Sequence, residues 1–400
     1  MPLMKKIYSK LVVGNIKEMD EEPNVDKWLD FLSKLPQPKD FIDYSYNKYR
    51  CRAYHFPWYK SLLLNLFSFP IALLSYFSLK KKKNALIKCE SEKLLIEKKA
   101  DVDYKDIIPS ELTTKFGTIE EVLDARADKE KFRVEFTFES ANLYKRVILR
   151  HPFSFYYQVW ISRELSKHCK YIMDYNPSAV AVYVEERNIA SPILKELYEI
   201  TGRSYISFMH GEYLLRLIQG YMAFSEYYIW DEEYQNIFKD ILHCNIDKYT
   251  LYKPKKLEKK WDFDGIEPEY LCTYYFSAES KESIKKLSDI YKKLEQKGYK
   301  CKVRPHPRYS QWEYISHYFS TEEIEDYKTV SIEDSLSNTK YVVGLATTVL
   351  AEGYYEGKEI VVDDITSPEK YANLSKRNFI VLKRPHVLFS ELIESIGVKI

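Results

Sequence analysis

The stretch KYIMDYNPSAVAVYVEERNIASPILKELYEITGRSYISFMHGEYL, Lys170 to Leu214, decides the fold. Ala179 to Val184 is a short apolar run of strand length. Ser191 to Thr201 then carries apolar residues at helical spacing, Gly202 makes a turn, and Ser204 to Met209 is a second apolar run. Strand, helix and strand in that order form a β-α-β unit, whose crossover makes the two strands parallel. The next segment, YYIWDEEYQNIF, predicts a strand at Tyr227 to Trp230 before a helix opened by Asp231.

Toward the C-terminus, the lysine-rich Lys253 to Glu269 has no convincing periodicity and reads as a linker. Beyond it the alternation resumes. Strands are predicted at Tyr270 to Phe276, Tyr299 to His306, Lys340 to Leu345 and Glu359 to Asp364, with helices at Ser280 to Lys297 and Thr347 to Tyr355. Toward the N-terminus, the chain up to about Ser140 shows only short apolar runs between charged stretches, with no repeat. The expected fold is therefore α/β, with two Rossmann-like parallel-sheet domains, residues 1–255 and 256–400, facing a central cleft. Four hundred residues exceed what one core usually organises, which agrees with two domains.

Composition narrows the chemistry. Sixty-one Lys and Arg against 59 Asp and Glu leave a net charge of +2, which argues against a dedicated nucleic-acid binder. The 11 glycines form neither a G-x-G-x-x-G nor a G-x-x-x-x-G-K-[ST], so a dinucleotide fingerprint and a P-loop are both excluded. H-E-x-x-H and G-x-S-x-G are also missing, against a zincin or an α/β-hydrolase. The six cysteines are scattered, without metal-site spacing, and read as reduced thiols. Two D-x-D triplets, Asp101 to Asp103 and Asp262 to Asp264, fall in irregular charged segments and are discounted as metal sites.

Ligands of open parallel sheets bind outside the strand C-termini, so the residues just after each strand are the candidates. Arg304-Pro305-His306-Pro307-Arg308 frames one imidazole with two prolines and two guanidiniums, suited to a phosphate that gains charge as a bond to it breaks. Gly344 to Thr348 offers a helix start at which Thr347 or Thr348 caps the helix and free N–H groups attract an anion. Glu352, one turn on, is placed to accept hydrogen bonds from a ribose. Met209-His210-Gly211-Glu212 supplies two candidate bases for an acceptor hydroxyl, His210 and Glu212, with Glu185 and Glu186 as a weaker pair after the preceding strand. Asp231, Glu232 and Glu233 read as a helix start.

One segment raises a membrane question. Ser61 to Leu79 is nineteen residues without a charge, within an aromatic and basic frame that runs over 56–83 from Phe56 to Lys83. Asn65, four serines and Pro70 count against a span. Two readings lead, ahead of a true span: a helix in the membrane interface with Lys80 to Lys83 on an anionic inner leaflet, or a buried helix of the N-terminal domain. The N-terminus carries no long apolar region of the secretory type, so a cytoplasmic protein is expected, peripheral on the inner face of the cell membrane under the first reading.

A strand ending in His210-Gly211, a linker, a strand ending in His306-Pro307 and a turn carrying Thr347 and Thr348 together resemble the GT-B-fold enzymes of bacterial surface polysaccharides. These include sialyl- and polysialyltransferases and the polyol-phosphate polymerases of teichoic acid synthesis. The resemblance covers roughly Tyr171 to Asp364. It implies a metal-independent, inverting glycosyltransferase without a cofactor. Such an enzyme would take a nucleotide sugar, of CMP-sialic acid type or another, on the C-terminal domain and a capsular or related glycan acceptor on the N-terminal one. It gives His306 the donor phosphate and leaving group, and Thr347 and Thr348 the phosphate. The base is an acidic residue in the sialyltransferases and the histidine of H-G in the polymerases, so His210 and Glu212 both stand. A CDP-polyol phosphotransferase, a non-catalytic polysaccharide-binding or assembly protein, and a nucleotide-sugar epimerase are the competing readings.

Overall fold

The computed structural model describes residues 25–79, 86, 87, 89, 92–98, 108–123, 134–183, 185–209, 212, 214–254, 261, 263 and 265–398. The chain divides into two compact units. Unit 1 is Met1–His210 with Arg216–Pro254, and unit 2 is Gly211–Leu215 with Lys255–Ile400. Both D-x-D triplets lie in part or whole outside the described residues, as do His210 and Lys80 to Lys83.

Unit 1 is built on β1 (Lys93–Lys98), β2 (Thr118–Leu123), β3 (Ala179–Tyr183), β4 (Ser204–Phe208), β5 (Ala223–Ile229) and β6 (Asn245–Leu251). They form a parallel sheet in the order β2-β1-β3-β4-β5-β6. The deciding β-α-β unit is β3, the Ser191–Ile200 helix and β4, all within a residue of the predicted bounds. Every side chain of β3 is buried, as a central parallel strand covered on both faces requires. The buried aromatics cluster beside it: the Tyr198 and Tyr205 rings stack 5.4 Å apart, and the buried His168 shares a 2.9 Å hydrogen bond with the Tyr198 hydroxyl.

Four strands of unit 1, β1, β2, β5 and β6, depart from the sequence reading. The region before Ser140 is not structureless, because it supplies β1 and β2. β1 has only Leu94, Leu95 and Ile96 as an apolar run, yet it sits between β2 and β3 with all three buried. β5 starts at Ala223, earlier than the predicted Tyr227, because Ser225 and Glu226 interrupt its apolar run. Against the upward push of burial, hydrogen bonds from Lys248, Thr250 and Lys115 hold the Glu226 carboxyl down to about 2. β6 is an edge strand whose charges are matched from outside: the buried Lys195 binds Asp247 at 2.6 Å and Asn245 at 3.0 Å.

The Phe41–Ala53 helix, capped by Asp40, fastens the N-terminal region to this sheet. Its Lys48 is fully buried, and the ammonium donates to the carbonyls of Glu186 at 2.6 Å, Ile218 at 3.2 Å and Gly220 at 3.2 Å. Burial lowers its pKa to about 8. Two segments distant from it in sequence, at Glu186 and at Ile218 to Gly220, are thereby tied to one side chain.

Unit 2 carries β7 (Tyr270–Tyr275), β8 (Cys301–Arg304), β9 (Thr339–Gly344), β10 (Glu359–Val362) and β11 (Val387–Leu388). The sheet is parallel, in the order β11-β10-β9-β7-β8. Its helices over Lys281–Gln296 and Thr348–Tyr355 match the predicted ones, the first capped by Ser280 and burying Ile284, Leu287, Tyr291 and Leu294 along one face. Chain order reverses at β7: the chain leaves it to one side for β8 and returns on the other as β9. The expected α/β class with two Rossmann-like parallel sheets is the observed one.

Candidate functional site

The register of unit 2 sets Arg304 opposite Tyr275 and Gly344 opposite Val362. Residues 276–279, 305–308, 345–348 and 363–366 therefore leave the sheet along one edge. The switch between β7 and β9 is where an open parallel sheet admits a ligand. The backbones are close there, since a Cβ on Gly344 would lie 2.8 Å from Thr347 Cγ2 and 3.1 Å from the Tyr275 carbonyl. Gly344→Ala is expected to cost about 1–3 kcal/mol by overpacking, read by urea denaturation. Adding Thr347→Ser, which removes Cγ2, should restore part of that loss; full stability of the single variant would contradict the packing.

His306 is half-buried just after β8. Its Nδ1 accepts the Arg308 amide at 3.0 Å, so the neutral ring carries its proton on Nε2 and presents a donor. Burial, then the nearby Arg308 charge, lowers its pKa and favours that neutral form. The His306 amide donates to Ser310 Oγ at 2.7 Å, and Ser310 Oγ donates to the Ser277 carbonyl at 3.4 Å. Ser277 is held in turn by the buried Glu279, which accepts its amide at 2.6 Å and its hydroxyl at 3.0 Å. Burial raises the Glu279 pKa. This chain links the end of β7 to the imidazole after β8. Sequence reading missed Ser277, Glu279 and Ser310, although Ser277 and Glu279 directly follow a predicted strand, which was the available signal.

The threonine pair divides its work. Thr347 is buried and caps the Thr348–Tyr355 helix, accepting the Val349 amide at 3.4 Å, while Thr348 is exposed at the first helical position. Glu352 lies half-buried on that helix. Asp363, fully buried after β10, accepts hydrogen bonds from the Tyr274 hydroxyl at 2.7 Å and the Ile365 and Thr366 amides, fixing the next turn along the edge.

Other predicted residues are used differently. Arg304 pairs with Glu325 and donates to the Val330 carbonyl at 2.9 Å, so its guanidinium braces the 325–331 segment. Arg308 is exposed. Glu212 belongs to unit 2, where its Oε1 accepts from Arg384 at 3.1 Å. Arg384 also donates to the Tyr355 hydroxyl at 2.8 Å and lies 4.9 Å from the Tyr354 and Tyr355 ring centres. Glu212 thus anchors the end of the helix that Thr347 begins. In unit 1, Glu186 is buried, accepting the Tyr227 hydroxyl at 2.9 Å, and Asp231 accepts the Glu233 amide at a short helix start. Met209, which precedes His210, is pinned by its amide to the Tyr228 carbonyl at 3.0 Å. Among the described residues no three His, Cys, Asp or Glu side chains converge as a metal site, and all six cysteines are free thiols.

No family model matches the chain, and no curated protein matches it. Among solved structures it is similar to the glycotransferase of kitacinnamycin, with 9% identity over 78% of this chain and 91% of that one and a TM-score of 0.39. It is also similar to the wall teichoic acid polymerase TagF, with 11% identity over 88% and 87% and a TM-score of 0.39. A third is the UDP-GlcNAc 2-epimerase from Methanocaldococcus jannaschii, with 13% identity over 76% and 92% and a TM-score of 0.42. All three scores are low, and the fold described above stands on the chain's own strand order.

Proposed function

We propose that the chain is a metal-independent, inverting glycosyltransferase of GT-B type, taking a sugar from a nucleotide sugar, of CMP-sialic acid type or another, to a surface or capsular glycan. One observation carries this reading. At the switch edge of unit 2, an imidazole after β8 whose Nδ1 is occupied, so that Nε2 carries the proton, and a threonine-capped helix start after β9 flank the end of β7, the strand between them. Both groups donate to anionic oxygen without a glycine loop.

In this reading His306 donates from Nε2 to the departing phosphate, and the Thr348 hydroxyl, exposed at the positive end of its helix, meets the other phosphate oxygens. Arg308, exposed on the same loop, adds positive charge as the bond breaks, while Arg304 braces the loop's surroundings. Glu352 takes the ribose. Unit 1 takes the acceptor, and His210 removes the proton from its hydroxyl, since Glu212 Oε1 is already paired with Arg384. The acceptor oxygen attacks the anomeric carbon opposite the leaving phosphate, inverting its configuration.

The test is transfer of labelled sugar from CMP-, UDP- and GDP-linked donors to capsular oligosaccharides in the presence of EDTA. One donor should label the acceptor with an inverted anomeric centre by NMR. Phosphate in the new linkage would instead establish polyol-phosphate transfer, and free sugar with no labelled acceptor would establish an epimerase or hydrolase.

A further inference from the structure

The Trp58–Ser78 helix is inside out for a water-soluble protein. Its buried residues are Lys60, Leu64, Ser68, Ala72 and Ser75, mostly small or polar. Its outward face is apolar, with Trp58 79%, Leu66 60% and Leu74 66% exposed and Phe69 and Phe77 about half exposed. A helix in water buries its apolar stripe and wets its polar one. We propose that this face lies in the plane of an anionic lipid surface, as an interfacial helix that does not cross the bilayer.

Length alone would allow a span, since 21 residues extend about 30 Å. The packing decides otherwise. The helix is fastened along its length to the Phe155–Tyr175 helix of unit 1. Asn65 Oδ1 accepts the Tyr156 amide at 3.1 Å, the Phe69 and Phe155 rings lie 4.9 Å apart, and the Ser75 and Ser162 hydroxyls are 3.2 Å apart. The partner helix carries Arg163, Glu164 and Lys167, with Lys167 paired to Glu97 and Glu164. A spanning orientation would draw those charges into hydrocarbon, whereas an in-plane one keeps them on the protein side.

Lipid fits better than a protein occupant on two counts. The exposed face carries Trp58, Tyr59 and Tyr76 among its leucines and phenylalanines, amphipathic rings that favour headgroup level, where an in-plane helix lies. The sequence then continues at once into Lys80 to Lys83, complementary to anionic headgroups. This inference stands on unit 1 and is independent of the transferase reading.

The test is flotation of the full chain with vesicles of phosphatidylcholine, with and without phosphatidylglycerol. The protein should float with the anionic vesicles and be weakened by salt. Leu66→Glu with Leu74→Glu should lower partitioning about tenfold or more, with circular dichroism unchanged because both side chains are exposed. Failure of the native chain to float, or equal flotation of the variant, would overturn the proposal. So would a lipid-free dimer that the variant dissociates, which would make the face an interface between copies. Leu66→Trp and Leu74→Trp should each be quenched more by lipids brominated near the headgroup than near the chain end; deeper quenching would establish a span.

Discussion

Replacing His306 with alanine is expected to lower turnover roughly 100-fold or more, a barrier increase of about 2.7 kcal/mol, while the chain stays folded. The side chain is half-buried, and the bond from the Arg308 amide to Nδ1 is the hydrogen bond of its ring that the structure shows. Its loss removes a donor from the edge of the sheet without opening the core. The backbone there remains tied through the His306 amide to Ser310.

The pH dependence follows from the same geometry. Burial and Arg308 push the imidazole below its ordinary 6.5, so it is neutral through the physiological range. As pH falls through the lowered value, Nδ1 gains a proton, can no longer accept the Arg308 amide, and activity should drop on the acid side. The unfolded chain takes that proton more readily, so this residue's contribution to stability is present above 6.5 and lost as pH falls below it. A His306→Gln variant should lose the acid limb along with most of its rate. An unchanged rate in His306→Ala would remove the residue from the chemistry.

The second large effect is on stability. Lys48→Met should destabilise the chain by roughly 3 kcal/mol or more, because three buried carbonyls, of Glu186, Ile218 and Gly220, lose their donor together. Methionine keeps most of the volume, so the loss reports polar satisfaction rather than a cavity. The native lysine also has a signature in pH. With its folded value lowered to about 8 from 10.5, the unfolded chain holds the proton more tightly between those values. Stability from this residue therefore rises with pH across that window, and the rise should vanish in Lys48→Met. Urea titrations at pH 7 and near pH 9.5 check both statements. An unchanged midpoint would show that the carbonyls find other partners.

The central strands of both units were legible because parallel strands buried on both faces are continuous apolar runs, and β3, β4, β7 and β9 each fall within about a residue of the predicted bounds. β1, β5 and β6 were not, or only in part, because Glu97, Glu226 and Asp247 break their runs and find their cations elsewhere in the fold, in Lys167, Lys248 with Lys115, and Lys195. The site divides the same way. His306 and Thr347 were legible from prolines and a helix start. The tautomer of His306 depends on how the loop closes on itself, and the engagement of Glu212 depends on Arg384, 172 residues away, which local pattern does not reveal.

The inside-out helix is the complementary case. Its apolar composition was plain in the sequence, but only the packing shows that small and polar residues, Ser68, Ala72 and Ser75 among them, face the protein.

The central claim is that the switch edge of unit 2 holds the phosphates of a nucleotide donor. Calorimetric titration of the full chain with CMP, CDP, UDP and GDP tests it most directly, alongside His306→Ala and a control, Glu186→Gln, at a buried position of unit 1. The expected result is that one nucleotide binds, that His306→Ala weakens it about tenfold or more, and that Glu186→Gln leaves it unchanged. Binding that is indifferent to His306, or no binding of any of the four, would contradict the claim.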